Sequence, residues 1–261
     1  SYGEATAVSY QRLEFLGDAV LDFIVVKALF TYTPELSHHA MHGIRTAIVN
    51  ADFLAFLCMS FSAAEERAEV TKYGEGNETK FVTQASQVQR YLWQFMRHTC
   101  SDIITAQQAA SDRYTKLREQ TTTALETGSE YPWGLLAGLR ADKFYSDIVE
   151  SVIGAIFVDS RGDVQACEAF VERLGLMRVL KRILANCVDC LHPKERLGIV
   201  ADQKRVHYEG GWIQGKVWAS QVQVGGRDVG RRVEGASRIH AETVAALEAV
   251  ALLQPEEPGP A

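Results

Sequence analysis

The stretch Tyr10-Gln11-Arg12-Leu13-Glu14-Phe15-Leu16-Gly17-Asp18-Ala19-Val20-Leu21-Asp22 decides how the front of the chain is read. Leu13, Leu16, Val20 and Ile24 recur at helical spacing, and between Gly17 and Pro34 no Gly or Pro interrupts them. One long helix over residues 10–30 is therefore predicted. At 100° per residue, Gln11, Glu14, Asp18 and Asp22 fall within an arc of about 80°, opposite much of the apolar face. The helix carries an acidic stripe.

A second stripe lies far along the chain. Between residues 140 and 158, Ile148, Val149, Val152, Ile153 and Ile156 predict a buried helix, on which Lys143, Asp147, Glu150 and Gly154 share about 60°. Buried ionised carboxylates are costly unless they are paired or hold a metal, and like charges in one site raise each other's pKa. A solvated face or a salt bridge is the ordinary explanation of an i, i+4 acidic pair. Here the acids sit in the most apolar parts of the chain, and Gly17 and Gly154 lack the side chains that would hold two helices apart. Oxygen donors without His or Cys suit Mg²⁺ or Mn²⁺ rather than zinc. Metal-assisted hydrolysis of a phosphate ester is the chemistry that follows.

Periodicity elsewhere predicts a helix over 41–59 and a polar loop over 63–80. An amphipathic helix is expected through Val88, Tyr91, Leu92, Phe95 and Met96, another over 105–130, and a further one over about 163–186. The texture changes at His192-Pro193. A short helix to about Gln203 precedes alternating stretches around 206–208, 217–224 and 228–233, with Gly225-Gly226 as a hairpin turn. Ser237 then caps an Ala-rich helix to about Leu253. The expected fold is mainly α: an all-helical domain over 1–186, a small α-β-β-β-α module over 191–254 and a tail over 255–261.

Composition bounds the function. With 47% hydrophobic and 23% charged residues the 261-residue chain is of the globular class, neither disordered nor a disulfide scaffold. Asp22 and Lys27 interrupt the best apolar run before the ~18 residues a membrane helix needs, so no membrane partner is expected. Five Cys at irregular spacing suit a reducing compartment, and an intracellular location is expected without a choice between cytoplasm and nucleus. A net charge of −6 excludes nucleic-acid binding by bulk electrostatics; any such site must be local.

Residues 10–22 resemble the signature of the ribonuclease III family almost letter for letter, and 143–160 resemble its second acidic motif. Gln11, the insertion at about 63–133 and Tyr131-Pro132-Trp133 are most similar to the second nuclease domain of Dicer-like proteins of filamentous fungi. Ser1-Tyr2 resembles the end of a family motif, which would place the domain's first helix upstream and make the chain the C-terminal piece of a longer protein. The resemblance implies cleavage of double-stranded RNA by Mg²⁺-activated water, with Mn²⁺ able to substitute, leaving 5′-phosphate and 3′-hydroxyl ends in RNA silencing. It assigns metal binding to Glu14, Asp18, Asp147 and Glu150, and support of metal and phosphate to Asn50 and Lys143. As alternatives, Asn50 caps a helix and Lys143 neutralises an acid. Phe15 is implied to plug into a partner: a second nuclease domain upstream in the same polypeptide, or a second copy of the fragment. The competing reading is a non-catalytic subunit of the same fold that binds structured RNA or proteins.

The last module resembles a double-stranded RNA-binding domain. Residues 193–240 hold nine Lys or Arg against five Asp or Glu, and Lys194, Lys204, Arg205, Lys216 and Arg238 are the candidate RNA contacts. Only one Arg stands at the start of the last helix, beside Glu242, so weak binding is expected. Cys187, Cys190 and His192 have zinc-like spacing but want a fourth ligand, for which His207 and His240 are the candidates after folding; ordinary reduced cysteines are the alternative.

Overall fold

The computed structural model describes residues 10–73, 80–98, 100–214, 217–235 and 237–254, with 67–73 and 80–84 described by backbone alone. Two acid-bearing helices form its spine: α1 (Tyr10–Phe30) and α6 (Phe144–Asp159). They cross backbone against backbone. A Cβ added at Gly17 would stand 1.7 Å from the Glu150 carbonyl oxygen, and one at Gly154 would stand 2.1 Å from that of Leu13. No other residue type fits at that crossing.

Around this pair pack α2 (His38–Ile48), α3 (Ala51–Ser60), α4 (Ser101–Thr127), α5 (Trp133–Gly138), α7 (Val164–Leu174) and α8 (Leu176–Asn186). They share a core that includes Leu21, Ile24, Phe53, Leu54, Tyr145, Ile153 and Leu180. Two expected helices are each broken in two. The one over 41–59 stops at Val49, because the Asn50 backbone is extended and its side-chain oxygen accepts the Phe53 N–H at 2.9 Å. The one over 163–186 breaks at Gly175, whose φ of +94° is a left-handed conformation open to glycine.

Residues 63–80 are not a loop where they are described. Strand β1 (Ser62–Tyr73) pairs antiparallel with β2 (Lys80–Tyr91), Ser62 opposite Tyr91 and Tyr73 opposite Lys80. The positions between the strands, 74–79, lie outside the described residues. Val88 and Tyr91 belong to β2, and Leu92–Phe95 form a single 3₁₀ turn instead of the expected amphipathic helix. The inter-strand ladder satisfies backbone groups that the side-chain periodicity of so short a segment could not, and the Glu65–Arg90 ion pair at 3.0 Å ties the base of the hairpin.

The C-terminal module has its own core of Leu197, Ala201, Val222, Ala245, Ala246 and Ala249. Helix α9 (Pro193–Val200) precedes an antiparallel sheet of β3 (Val206–Ile213), β4 (Val217–Val224) and β5 (Arg227–Gly235), in that order, and α10 (Arg238–Leu253) packs across it. Gly225 and Gly226 both have positive φ, as their hairpin turn requires, and the Ser237 hydroxyl accepts the His240 N–H. The module docks on the helical body through α10 and α5, where Leu247 Cδ1 occupies the space that a Cβ on Gly134 would take. Among the described residues, no single helix is long and apolar enough to cross a membrane.

Candidate active site

The crossing of α1 and α6 carries the two acidic stripes to the same place. Carboxylate oxygens of Glu14, Asp147 and Glu150 lie within 4.8 Å of one another. Asp147 is buried, and Glu14 and Glu150 are half-buried. Asp18, one turn along α1, is exposed at the edge of this triplet, close enough for its charge to act on Glu150. Asp22 is turned away into an ion pair with Arg45 of α2.

Lys143 stands at the start of α6 and directs its Nζ between the helices. The ammonium donates to Glu14 Oε1 at 2.7 Å and to Asp147 Oδ1 at 2.5 Å. Burial alone would lower its pKa, but the hydrogen bonds to Asp147 and Glu14 outweigh that and hold it above the usual lysine range. Desolvation raises the Asp147 pKa against the opposing pull of Lys143. Glu150 has no hydrogen-bonded cation among the described residues: burial, aided by the charges of Asp18 and Asp147 and only partly opposed by Lys143, pushes it up to about 7. A cation therefore already occupies the middle of the cluster. The donor set, all carboxylate oxygen with one positive side chain standing in for an ion, suits a hard divalent metal.

Tyr10, assigned no role by sequence reasoning, belongs to the same place. Its hydroxyl donates to the Phe144 carbonyl at 3.2 Å, and burial together with Asp147 and Glu14 raises its pKa. Its position four residues before Glu14, on the same face of α1, was the available signal.

The Asn50 oxygen caps α3, and its amide nitrogen donates to the Ala47 carbonyl at 2.6 Å and to the Tyr131 hydroxyl at 3.2 Å. Among the described residues none of these bonds reaches the acids. Phe15 is 81% exposed and begins an apolar stripe continued by Phe23, Val26 and Phe30 along α1, beside the acidic one.

Of the five basic residues singled out in the module, the four that are described fall into two groups. Lys194 and Arg238 both bind Glu242, at 2.5 and 2.7 Å, and that carboxylate is buried. Lys204 and Arg205 lie at the other end of the sheet, beside the Gly225 turn. Lys216 is outside the described residues. His192 caps α9 through Nδ1, accepting the Lys194 N–H, and packs edge-on against Trp133. That nitrogen is thereby engaged, and the zinc-like spacing with Cys187 and Cys190 gathers no metal-binding group among the described residues.

Comparison with known proteins agrees with this geometry. Residues 186–259 match the family profile described as Dicer-like protein 2, dsRNA binding domain. Proteins named Dicer-like protein 2 from Coccidioides immitis and Phaeosphaeria nodorum are 49% and 44% identical over 252 residues, 94% of this chain. The one from Cryphonectria parasitica is 40% identical over 243 residues, 86% of this chain. The chain spans 17% of the length of each of these relatives. Residues 11–161, more than half of the sequence and containing all four acids, match the Ribonuclease III domain, and the chain belongs to the ribonuclease III family.

Proposed function

We propose that this chain is the cutting end of a Dicer-like protein and hydrolyses double-stranded RNA to 5′-phosphate and 3′-hydroxyl products with Mg²⁺, for which Mn²⁺ can substitute. The observation that supports this most is the convergence of Glu14, Asp147 and Glu150 oxygens within 4.8 Å, with the Lys143 ammonium bonded to the first two. Glu14, Asp147 and Glu150 would hold the ion, with Asp18 completing the set at its open side. When bound, the ion lowers the pKa of its water and draws charge from the phosphate. Lys143, on an otherwise exposed side chain, then has a phosphate oxyanion to neutralise in place of the carboxylates. Tyr10 and the cap of α3 keep α1, α6 and α3 in register around the cluster.

One chain supplies one acidic cluster, so cutting both strands calls for a second nuclease domain. The exposed stripe of Phe15, Phe23, Val26 and Phe30 on α1 is the surface that would meet it. With all four acids present, the enzyme reading is favoured over a non-catalytic subunit, and on this reading the reaction serves RNA silencing inside the cell.

The test is cleavage of a labelled RNA duplex. Asp18→Ala and Glu150→Ala should each abolish Mg²⁺-dependent cutting while circular dichroism stays unchanged, because losing a mutually repelled carboxylate need not destabilise the metal-free site. Near-parental cleavage by either variant would overturn the assignment.

A further inference from the structure

At the seam between the helical body and the C-terminal module, the end of α5 faces β5 and the start of α10 across a cleft of about 370 Å³. Arg140, Arg231, Arg232, Glu234 and His240 line it with Gly134 and Val244. His240 is 6% exposed, and its Nε2 has no hydrogen-bond partner; the Asp52 carboxylate, 3.8 Å away, is beyond hydrogen-bond range. A buried polar nitrogen left unpaired costs on the order of 1–3 kcal/mol, which an oxygen of a ligand in the cleft would recover.

The cleft is also built around a strained cation. Arg140 has φ +45°, unusual for a residue with a side chain, and Arg113 holds it there by donating to the carbonyls of Leu139 and Arg140 at 2.6 and 3.0 Å. From that conformation the Arg140 guanidinium reaches across the seam to the Glu234 carbonyl at 3.2 Å. Arg231 is paired with Glu248, which leaves Arg140 and Arg232 facing Glu234 in the cleft lining, with the Asp52 carboxylate behind the His240 ring. Burial, with Arg140 and Arg113 nearby, lowers the His240 pKa to about 4, which leaves the ring neutral at pH 7 and able to bond an oxyanion through N–H.

Arg140 is three residues before Lys143, so their Cα atoms are at most roughly 11 Å apart. We propose that this seam cleft is a phosphate site, in which Arg140, Arg232 and His240 hold a phosphodiester of the RNA strand near the one being cut. The inference rests on the nuclease reading above. Body and module then form one RNA surface, with the module positioned by docking rather than by the basic residues first expected to grip the duplex.

The experiment uses the full chain without divalent metal, binding an RNA duplex over a range of salt, and inorganic phosphate followed by the His240 ring resonances. Arg140→Asn, which suits a positive φ, combined with Arg232→Ala should weaken duplex binding about tenfold and reduce the slope of log affinity against log salt by about 1, one phosphate contact. Glu234→Gln removes the opposing charge and should strengthen binding several-fold, an effect that misfolding cannot imitate. If inorganic phosphate shifts His240 in the parent and not in the double variant, while duplex binding is unaltered, the site takes free phosphate and its assignment to RNA is overturned. If neither ligand responds, the cleft is not an anion site. A parent chain whose His240 responds to phosphate but which neither binds RNA nor cuts it once Mg²⁺ is added would refute the nuclease reading and leave the anion site standing; cutting on addition of Mg²⁺ with an unresponsive cleft would do the reverse.

Discussion

Glu150 shows what one side chain can report. Its folded pKa of about 7 stands above the ordinary 4.5, so between these values the folded protein binds a proton that the unfolded chain has released. Stability present below about pH 4.5 is therefore lost as pH rises through 7. Allowing for solvent around a half-buried group, the metal-free protein should lose about 1–2 kcal/mol across that window. The difference in urea midpoint between the parent and Glu150→Gln, followed from pH 4.5 to 8, separates this contribution from those of Asp52, raised to about 6, and His240, lowered to about 4, and should change by that amount across the window. Divalent metal requires the deprotonated carboxylate, so adding Mg²⁺ should stabilise the protein more at pH 8 than at pH 5.5; equal stabilisation at both would contradict a role for Glu150 in holding the ion.

At the scale of elements, the contact between α1 and α6 matters most. Because the Gly17 and Gly154 positions already touch backbone carbonyls, Gly17→Ala or Gly154→Ala must push the helices apart. Each should cost about 3 kcal/mol or more in chemical denaturation, and the residual folded fraction should bind Mg²⁺ less tightly, since separation spreads the carboxylates. A well-folded Gly17→Ala protein with parental stability would mean that the crossing is looser than described. The break between α2 and α3 makes a smaller prediction. Asn50→Ala removes a cap and should cost about 1 kcal/mol, and Asn50→Ser should recover most of it. Equal losses for Ala and Ser would show that the amide nitrogen's bonds to Ala47 and Tyr131, rather than the cap, carry the effect.

For the whole molecule, the exposed stripe on α1 is unusual for a surface helix. Phe15 at 81% and Phe30 at 76% exposure leave large apolar area in water, which association would remove. Phe15→Ala should weaken self-association of the chain by on the order of 2 kcal/mol. Sedimentation equilibrium that cannot tell variant from parent would dismiss the stripe as the pairing surface.

How much of this was legible beforehand follows from the range of the interactions. The helices α1, α4 and α6, the acid stripes, the Gly225-Gly226 turn and the Ser237 cap are written in local periodicity and local chemistry, so the sequence alone determined them. It also carried the family, because Glu14, Asp18, Asp147 and Glu150 sit in two ordered motifs. Tertiary structure decided what depends on a distant partner. The 62–91 hairpin exists because two polar strands pair with each other, which no single window of residues reveals. Asn50, whose oxygen caps α3 locally, turns its amide nitrogen to the remote Tyr131, and Lys194 and Arg238 were drawn to Glu242 when α9 folded against α10. His240, at the start of α10, was buried by the docking of the module on α5. Charge and helical period act within a few residues; neutralisation and burial are settled only when segments remote in sequence are brought within a few ångströms.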